Sequence, residues 1–295
     1  MRRETYFIKA ITPLHIGTGQ GLTHIDLPIA REVHTGFPFI PGSAIKGCLR
    51  EYHIKKVARN TELTASMIDE ILQEGEIRGN LNDKEKKYLK MLIDIFGTAG
   101  EGSEESSASA GKVIFTDARL FLFPVRSTNG VFQLVTCPYV INRYLEDTGE
   151  KECFCLDLPD DTAVVYFDRY PNIDEVMLEE FTLRKQRNKK FEEIISRIPL
   201  ESYQKERVLC VSDSVFSYMV KNYTEIQTHI KINRDSGTVE SGALWTEEYL
   251  PAESVLYFNL FYEKQNLNLE VPEFFHLGGD ITTGKGLVRR LGNAN

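Results

Sequence analysis

The 295-residue chain is short of positive charge, with 35 Lys and Arg against 43 Asp and Glu and a net charge of −8; it also has only one tryptophan and five cysteines. Each shortage excludes something. No apolar run approaches the roughly 18 residues that a membrane-spanning helix needs. The opening MRRETYFIKA has two arginines but no apolar stretch behind them, so it reads as a first strand and not as a secretion signal. We therefore expect no membrane partner and a cytoplasmic location. The cysteines, at 48, 137, 153, 155 and 210, make no CxxC pair. Cys153 and Cys155 alternate across a strand-like stretch, which does not suit a zinc knuckle, and reduced thiols are expected. An acidic chain does not coat itself with polyanion. To bind nucleic acid it must gather its cations on one face or share a basic groove with neighbours.

A hydrophobic content of 42% supplies ample core material. The pattern predicts a first strand over Tyr6–Leu14, a helix over Ser43–Arg59, and two charge-rich helices over Met67–Gln73 and Asp83–Phe96. Gly97–Gly111 is rich in Ser and Gly and reads as a flexible loop, so residues 51–111 look like a helical insertion. Strand signals follow at Lys112–Val125, Val131–Pro138, Ala163–Phe167, Arg207–Val211, Glu225–Lys231 and Val255–Glu263, with a short helix over Tyr139–Asp147. Asp174–Ile198, with Arg184, Lys185, Arg187, Lys189 and Lys190, reads as a solvated helix face. Strands and helices interleave without a regular βαβ rhythm. The expected class is therefore α+β with an antiparallel sheet.

The stretch His15–Arg50 concentrates chemistry. A glycine-rich turn at Gly17, Gly19 and Gly21 leads to an acid, Asp26, among apolar residues. Gly42-Ser43 then opens the first predicted helix, with Ser43 as its expected N-cap. Ser43, Lys46 and Arg50 fall on one helix face. Free amides, a positive dipole end and two cations suit an anion such as phosphate. The same pattern also describes an ordinary surface helix. Two nucleotide motifs are nearly spelled and fail. The first turn is GxGxG and not GxGxxG, with no helix directly behind it. Gly279-Asp-Ile-Thr-Thr-Gly284-Lys285 fits GxxxxGK, but Gly286 stands where a P-loop needs Ser or Thr for Mg²⁺. ATP hydrolysis is disfavoured. Glycines there still let backbone amides approach a phosphate, with Lys285, Arg289 and Arg290 nearby.

Read together, Ile11-Thr-Pro-Leu-His-Ile-Gly17, Ile25-Asp-Leu-Pro-Ile29, His34-Thr-Gly-Phe-Pro38 and Pro41-Gly-Ser-Ala-Ile-Lys-Gly47 closely resemble the RAMP proteins of type III-B CRISPR effector complexes. The resemblance is to the Cmr-type backbone subunit present in several copies. It continues through Phe115-Thr-Asp-Ala-Arg119, Phe123-Pro-Val-Arg-Ser127, Thr136-Cys-Pro-Tyr139, Gly242-Ala-Leu-Trp-Thr-Glu-Glu-Tyr-Leu-Pro251 and Gly278-Gly-Asp-Ile-Thr-Thr-Gly-Lys-Gly286, in order along nearly the whole chain.

The resemblance implies a single RAMP domain over residues 1–295. It has a ferredoxin-like (RRM-like) core, the insertion at about 51–111, and a thumb-like hairpin at about 225–250. It implies a CRISPR guide RNA as partner, a single-stranded target RNA cut at regular intervals, further copies of the chain in a helical backbone, and other Cmr-type subunits including the large one. Asp26 matches the family's catalytic aspartate, and His15 falls on a family position near it. The loop with Gly278, Gly279, Lys285 and Arg289 is implied to grip the guide backbone beside Ser43, Lys46 and Arg50. An acid at Asp26 can hold a divalent ion, Mg²⁺ or Mn²⁺, whose remaining ligands must come from water or RNA. Glu247 and Tyr249 fall in the thumb-like segment. Glu247 reads equally as a second acid, a metal ligand or a strand-end carboxylate. Arg31, Arg119 and Arg126 either reach phosphates or pair with acids. Trp245 and Phe37 either stack on bases or pack in the core. A non-catalytic filament subunit of the same complex is the alternative reading.

Overall fold

The computed structural model describes residues 1–19, 25–98, 108–234 and 237–293. Strand β1 (Arg2–Ala10) starts four residues earlier than its pattern suggests and stops short of Pro13. After β2 (Phe39–Ile40) come helices α1 (Gly42–Asn60), α2 (Ala65–Glu74) and α3 (Asp83–Phe96). Strands β3 (Gly97–Thr98) and β4 (Ser109–Ala110) pair at the foot of the Ser/Gly-rich loop, most of which lies outside the described residues. The chain continues with β5 (Val113–Phe115), β6 (Ala118–Arg126), β7 (Phe132–Thr136), α4 (Pro138–Asp147), β8 (Thr162–Val165), β9 (Glu175–Leu178), β10 (Phe181–Gln186), α5 (Lys189–Arg197), α6 (Ser202–Lys205), β11 (Val208–Cys210) and α7 (Asp213–Asn222). It ends with β12 (Glu225–Ile232), β13 (Val239–Tyr249), β14 (Val255–Tyr262), β15 (Phe274–His276) and β16 (Leu287–Asn293).

A large mixed sheet runs β15-β16-β1-β14-β6-β7-β11-β8-β10-β9, with β2 beside β6 and β5 beside β14. Most pairs are antiparallel, but β7–β11 and β8–β10 are parallel. The sheet is therefore mixed where the sequence suggested purely antiparallel pairing. Strand β14, VLYFNLFY, is buried along almost its whole length, as its unbroken apolar run requires of a strand covered on both faces. Around it Phe7, Phe121, Tyr144 and Tyr257 form an edge-on aromatic cluster. The Tyr257 hydroxyl donates to Asp147, which also takes Arg119.

Helix starts follow local chemistry. The Asn82 side chain accepts from the Glu85 amide while Glu85 reaches back, closing a capping box at α3. Thr64 caps α2, and Gly75 ends it in the left-handed region. Helix α1 departs from expectation. Its N-cap is Pro41, and Ser43 lies inside the first turn without a capping bond. The amide of Gly42 instead donates to Asp117 at 2.8 Å.

Asp174–Ile198 is also corrected. Its charges ride on an antiparallel pair, β9–β10, followed by the short helix α5. Alternating exposed and buried residues along β9 (exposed Glu175 and Met177, buried Val176 and Leu178) are a period-two pattern that the charge run hid. Cys153 and Cys155 are joined in a disulfide, against the expectation of reduced thiols, whereas Cys48, Cys137 and Cys210 are free. No helix among the described residues is long and apolar enough to cross a membrane.

Candidate nucleic-acid cleavage site

Strands β12 and β13 form a separate two-stranded hairpin in the register Gln227–Glu247, His229–Trp245 and Ile230–Leu244. Residues that face one another across an antiparallel pair share a face. Gln227, His229, Trp245, Glu247 and Tyr249 therefore lie on one side of the ribbon, and Ile230 and Leu244 on the other. The outer edge of β13 takes a third segment. Leu27 bridges Glu247 in parallel, its amide donating to the Thr246 carbonyl and its carbonyl accepting from the Glu248 amide.

That docking fixes Asp26. Its Oδ2 accepts from the Thr246 amide at 2.8 Å and from the Thr246 hydroxyl at 2.9 Å. Its own amide donates to Thr246 Oγ1 at 3.1 Å. The side chain is exposed. The main-chain bond from Thr246, and next its hydroxyl, hold the Asp26 carboxyl below the usual carboxylate range. Asp26 is thus an ionised, oriented, solvent-facing acid. The neighbouring residues 20–24, including Gly21 of the glycine-rich turn, lie outside the described residues.

Behind it, Glu247 and Tyr249 are 6% and 0% exposed. Trp245 Nε1 donates to Glu247 Oε1 at 2.6 Å, and the Tyr249 hydroxyl donates to Oε2. Burial opposes ionisation of Glu247, but the Tyr249 and Trp245 donors and nearby His229 outweigh it and keep the carboxyl low. Burial, with Glu247 alongside, pushes the Tyr249 hydroxyl well up, so it stays protonated and donating. Lys285 sits over the Tyr249 ring, 4.6 Å from its centroid. His15 lies 5.5 Å from the same ring, its Nδ1 2.8 Å from the Glu248 carbonyl.

The terminal loop meets this group through main chain. The Gly279 amide donates to the His15 carbonyl at 3.0 Å. Gly278 has φ +84°, and a Cβ there would stand 2.2 Å from the His15 carbonyl oxygen, so its glycine is demanded by contact within the chain. Gly279 has room for a Cβ. Cys48 of α1 lies against the Gly278 main chain; burial raises its thiol, and that contact partly offsets the rise. The α1 face with Cys48 is therefore beside the loop, and Lys46, two residues earlier, points away from it.

The structure thus brings His15, Glu247, Tyr249, Gly278, Gly279 and Lys285 together, and ties Asp26 to the same strand through Thr246. It commits two other candidates elsewhere. Arg50 is ion-paired with Asp69 of α2, and Arg289 bonds Glu201 and Glu273 at 2.8 and 3.0 Å. Arg31, Arg119 and Arg126 pair with Glu248, Asp147 and Glu179. Phe37 is core, edge-on to Phe216, whereas Trp245 is half-buried at the hairpin. Sequence reasoning missed Thr246 and His229. Thr246 bonds Asp26 through its main chain and its hydroxyl, but that partner lies 220 positions away in sequence. His229 reaches the site by cross-strand register.

Against known proteins, the model of the RAMP superfamily matches residues 7–289. The chain is 32% identical to the CRISPR system Cmr endoribonuclease Cmr4 of Pyrococcus furiosus, over 96% of this chain and 92% of that one. It is 24% identical to the CRISPR system CMR subunit Cmr4 of Saccharolobus solfataricus, over 97% and 94%. Among solved structures, oligomeric Cmr4 from Pyrococcus furiosus aligns with TM-score 0.65 and 26% identity, covering 99% of this chain and 97% of that one. A chain of the type III-B Cmr-beta complex bound to cognate target RNA aligns with TM-score 0.72 over 99% and 97%; at 21% identity that likeness speaks to fold alone.

Proposed function

The chain belongs to the RAMP superfamily, and on that basis we propose that it is a guide-RNA-binding backbone subunit of a type III-B Cmr effector complex that cuts guide-paired target RNA. In this reading the sheet is an elaborated ferredoxin-like core and the β12–β13 hairpin is the thumb. Copies of the chain line the guide, alongside other Cmr-type subunits, and each makes one cut. The observation that carries the reading is Asp26: exposed, ionised, and bolted by Thr246 to the edge of the hairpin that holds Glu247 and Tyr249.

An RNA strand carries its own nucleophile. The 2′-oxygen attacks the adjacent phosphorus, the bond to the 5′-oxygen breaks, and the 2′-proton departs while the 5′-oxygen gains one. The products are a 2′,3′-cyclic phosphate and a 5′-hydroxyl. The site must splay the backbone so that these atoms align, and must meet the charge that develops. Asp26 is the acceptor offered to the 2′-hydroxyl. Lys285, above Tyr249, is the cation offered to a phosphate oxygen. Glu247 is ionised and takes a donor on each oxygen, which suits it to hold Tyr249 in place and not to deliver a proton.

A divalent ion at Asp26 would take its remaining ligands from water or RNA, not from the protein. Among the described residues no three of His, Cys, Asp and Glu converge on a metal position, and Asp26 already spends Oδ2 on Thr246. No step above depends on one.

The test is a gel of end-labelled target with the reconstituted complex. Asp26→Asn should keep assembly and target binding and lose two or more orders of magnitude in cleavage, roughly the scale of one electrostatic catalytic group. A target with 2′-deoxy at the cut positions should bind and resist. Full cleavage by Asp26→Asn would leave a structural filament subunit.

A further inference from the structure

We infer that His229 is a positioning residue of the cleavage site, acting through Glu247 and Tyr249; the inference rests on the reading of this chain as the cutting subunit. His229 stands opposite Trp245 in the hairpin, and its ring stacks on the indole with centroids 5.5 Å apart and planes 16° from parallel. That stack fixes the ring plane. It leaves Nε2 3.3 Å from the Tyr249 hydroxyl and 3.6 Å from Glu247 Oε2. The indole that supports the ring also donates to the other oxygen of the same carboxylate. Trp245, His229 and Tyr249 thus surround Glu247, and one imidazole nitrogen faces both a hydroxyl and a carboxylate.

The consequence follows from counting protons. The Tyr249 hydroxyl has one hydrogen, which goes to Glu247 Oε2. An imidazole with a proton on Nε2 leaves that hydrogen in place, because Nε2 donates toward the same two oxygens. An imidazole bare at Nε2 is a rival acceptor and draws the hydroxyl hydrogen away from Glu247. The protonation state of His229 therefore sets where the Tyr249 hydroxyl points. Tyr249 is the ring over which Lys285 sits and against which His15 packs, so its orientation passes to both. Besides Glu247 and Tyr249, the charged groups on this side are Glu225, opposite Tyr249 in the hairpin and bonded to Gln227, and Asp280 and Lys285 of the terminal loop; His15 packs against the Tyr249 ring. Lys231 and Glu240, further out on the hairpin, pair with each other.

The lone tryptophan gives a reading that needs no RNA. Indole fluorescence is quenched by a stacked imidazolium, so emission from the intact chain should fall on acidification. His229→Gln should abolish that fall. An unchanged titration in His229→Gln would show that the stack does not form.

In the assembled complex, single-turnover cleavage and target affinity are measured separately. His229→Phe keeps the stack and loses Nε2. It should slow cleavage about tenfold, the scale of one misplaced hydrogen bond, with target affinity unchanged. His229→Gln can put an amide nitrogen near the Nε2 position and should recover most of the rate, with a pH profile that has lost the wild-type inflection. In a Glu247→Gln background, His229→Phe should add little. Wild-type cleavage by His229→Phe, equal losses in both backgrounds, or superimposable pH profiles for wild type and His229→Gln would each overturn the assignment. If His229→Phe fails to assemble, the His229→Gln pH profile decides. Asp26→Asn is run alongside. If it also cleaves fully, the cutting-subunit reading has failed; if it is dead while His229→Phe is normal, only the His229 inference has failed.

Discussion

Thr246 holds Asp26 from two directions at once, by its amide at 2.8 Å and by its hydroxyl at 2.9 Å, and both bonds end on the same oxygen, Oδ2. The acid is thereby given an orientation although it lies at the surface. Thr246→Val keeps the shape and the amide bond and removes the hydroxyl. Cleavage should fall about tenfold, the value of one hydrogen bond to a charged group. The Asp26 carboxyl should also move up toward its ordinary range, since one of the two bonds that depress it is gone. The acid limb of the pH–rate profile should then shift to higher pH. An unshifted limb would mean that Asp26 is not the group titrating there.

The donor set at Asp26 leads to a prediction about metal. RNA-free protein stripped with chelator and titrated with Mn²⁺ should show no stoichiometric site by electron paramagnetic resonance or calorimetry. One tight site per chain in the absence of RNA would contradict the geometry described here.

Lys46 and Arg50 share a helix face but should part in experiment. Arg50 is already paired with Asp69. Arg50→Ala should cost about 0.5 kcal/mol of stability as a partly exposed pair is lost, with little change in the salt dependence of guide binding. Lys46 is in no ion pair among the described residues. Lys46→Ala should lower the slope of log affinity against log salt by about 0.7, one phosphate contact on a single strand. Equal slopes for wild type and Lys46→Ala would remove this helix from the guide path.

The two neighbouring glycines separate fold from binding. Gly278→Ala meets the His15 carbonyl oxygen and must sit at φ +84°. It should lower the melting temperature, with a loss of about 1–3 kcal/mol or more. Gly279→Ala has room and should melt normally. If Gly279→Val, folded, still assembles on guide RNA, no phosphate approaches that main chain closely.

Asp26, Glu247 and Tyr249 stand out in the sequence as site residues through the family resemblance. That Trp245, Glu247 and Tyr249 share one strand face at period two comes from the structure, because the residue pattern signals no strand over Val239–Tyr249. The helices α2 and α3 are legible from their apolar and charge pattern, and Thr64, Asn82 and Gly75 cap them as their residue types favour. Ser43 misled because a competing acceptor, Asp117, is 75 positions away in sequence. His229 was invisible for a related reason: its partner across the hairpin depends on a register that shifts between Ile230 and Ile232. The β9–β10 pair was hidden because its charges were read as a helix face, when Arg184 and Lys185 fall on opposite faces of a strand, Arg184 outward and Lys185 turned in to Asp168.

The parallel bridge between Leu27 and Glu247 has a mechanical effect. It makes the Asp26 segment a third strand of the hairpin ribbon, so acid and hairpin travel as one rigid piece. Where copies of the chain repeat along a guide, each acid then keeps a constant offset from its own hairpin, whatever the hairpin does. The distance between successive cuts is the distance between successive hairpins. A change in the length of the segment between His15 and Asp26 would be taken up within that segment and leave both the place of each cut and their spacing untouched.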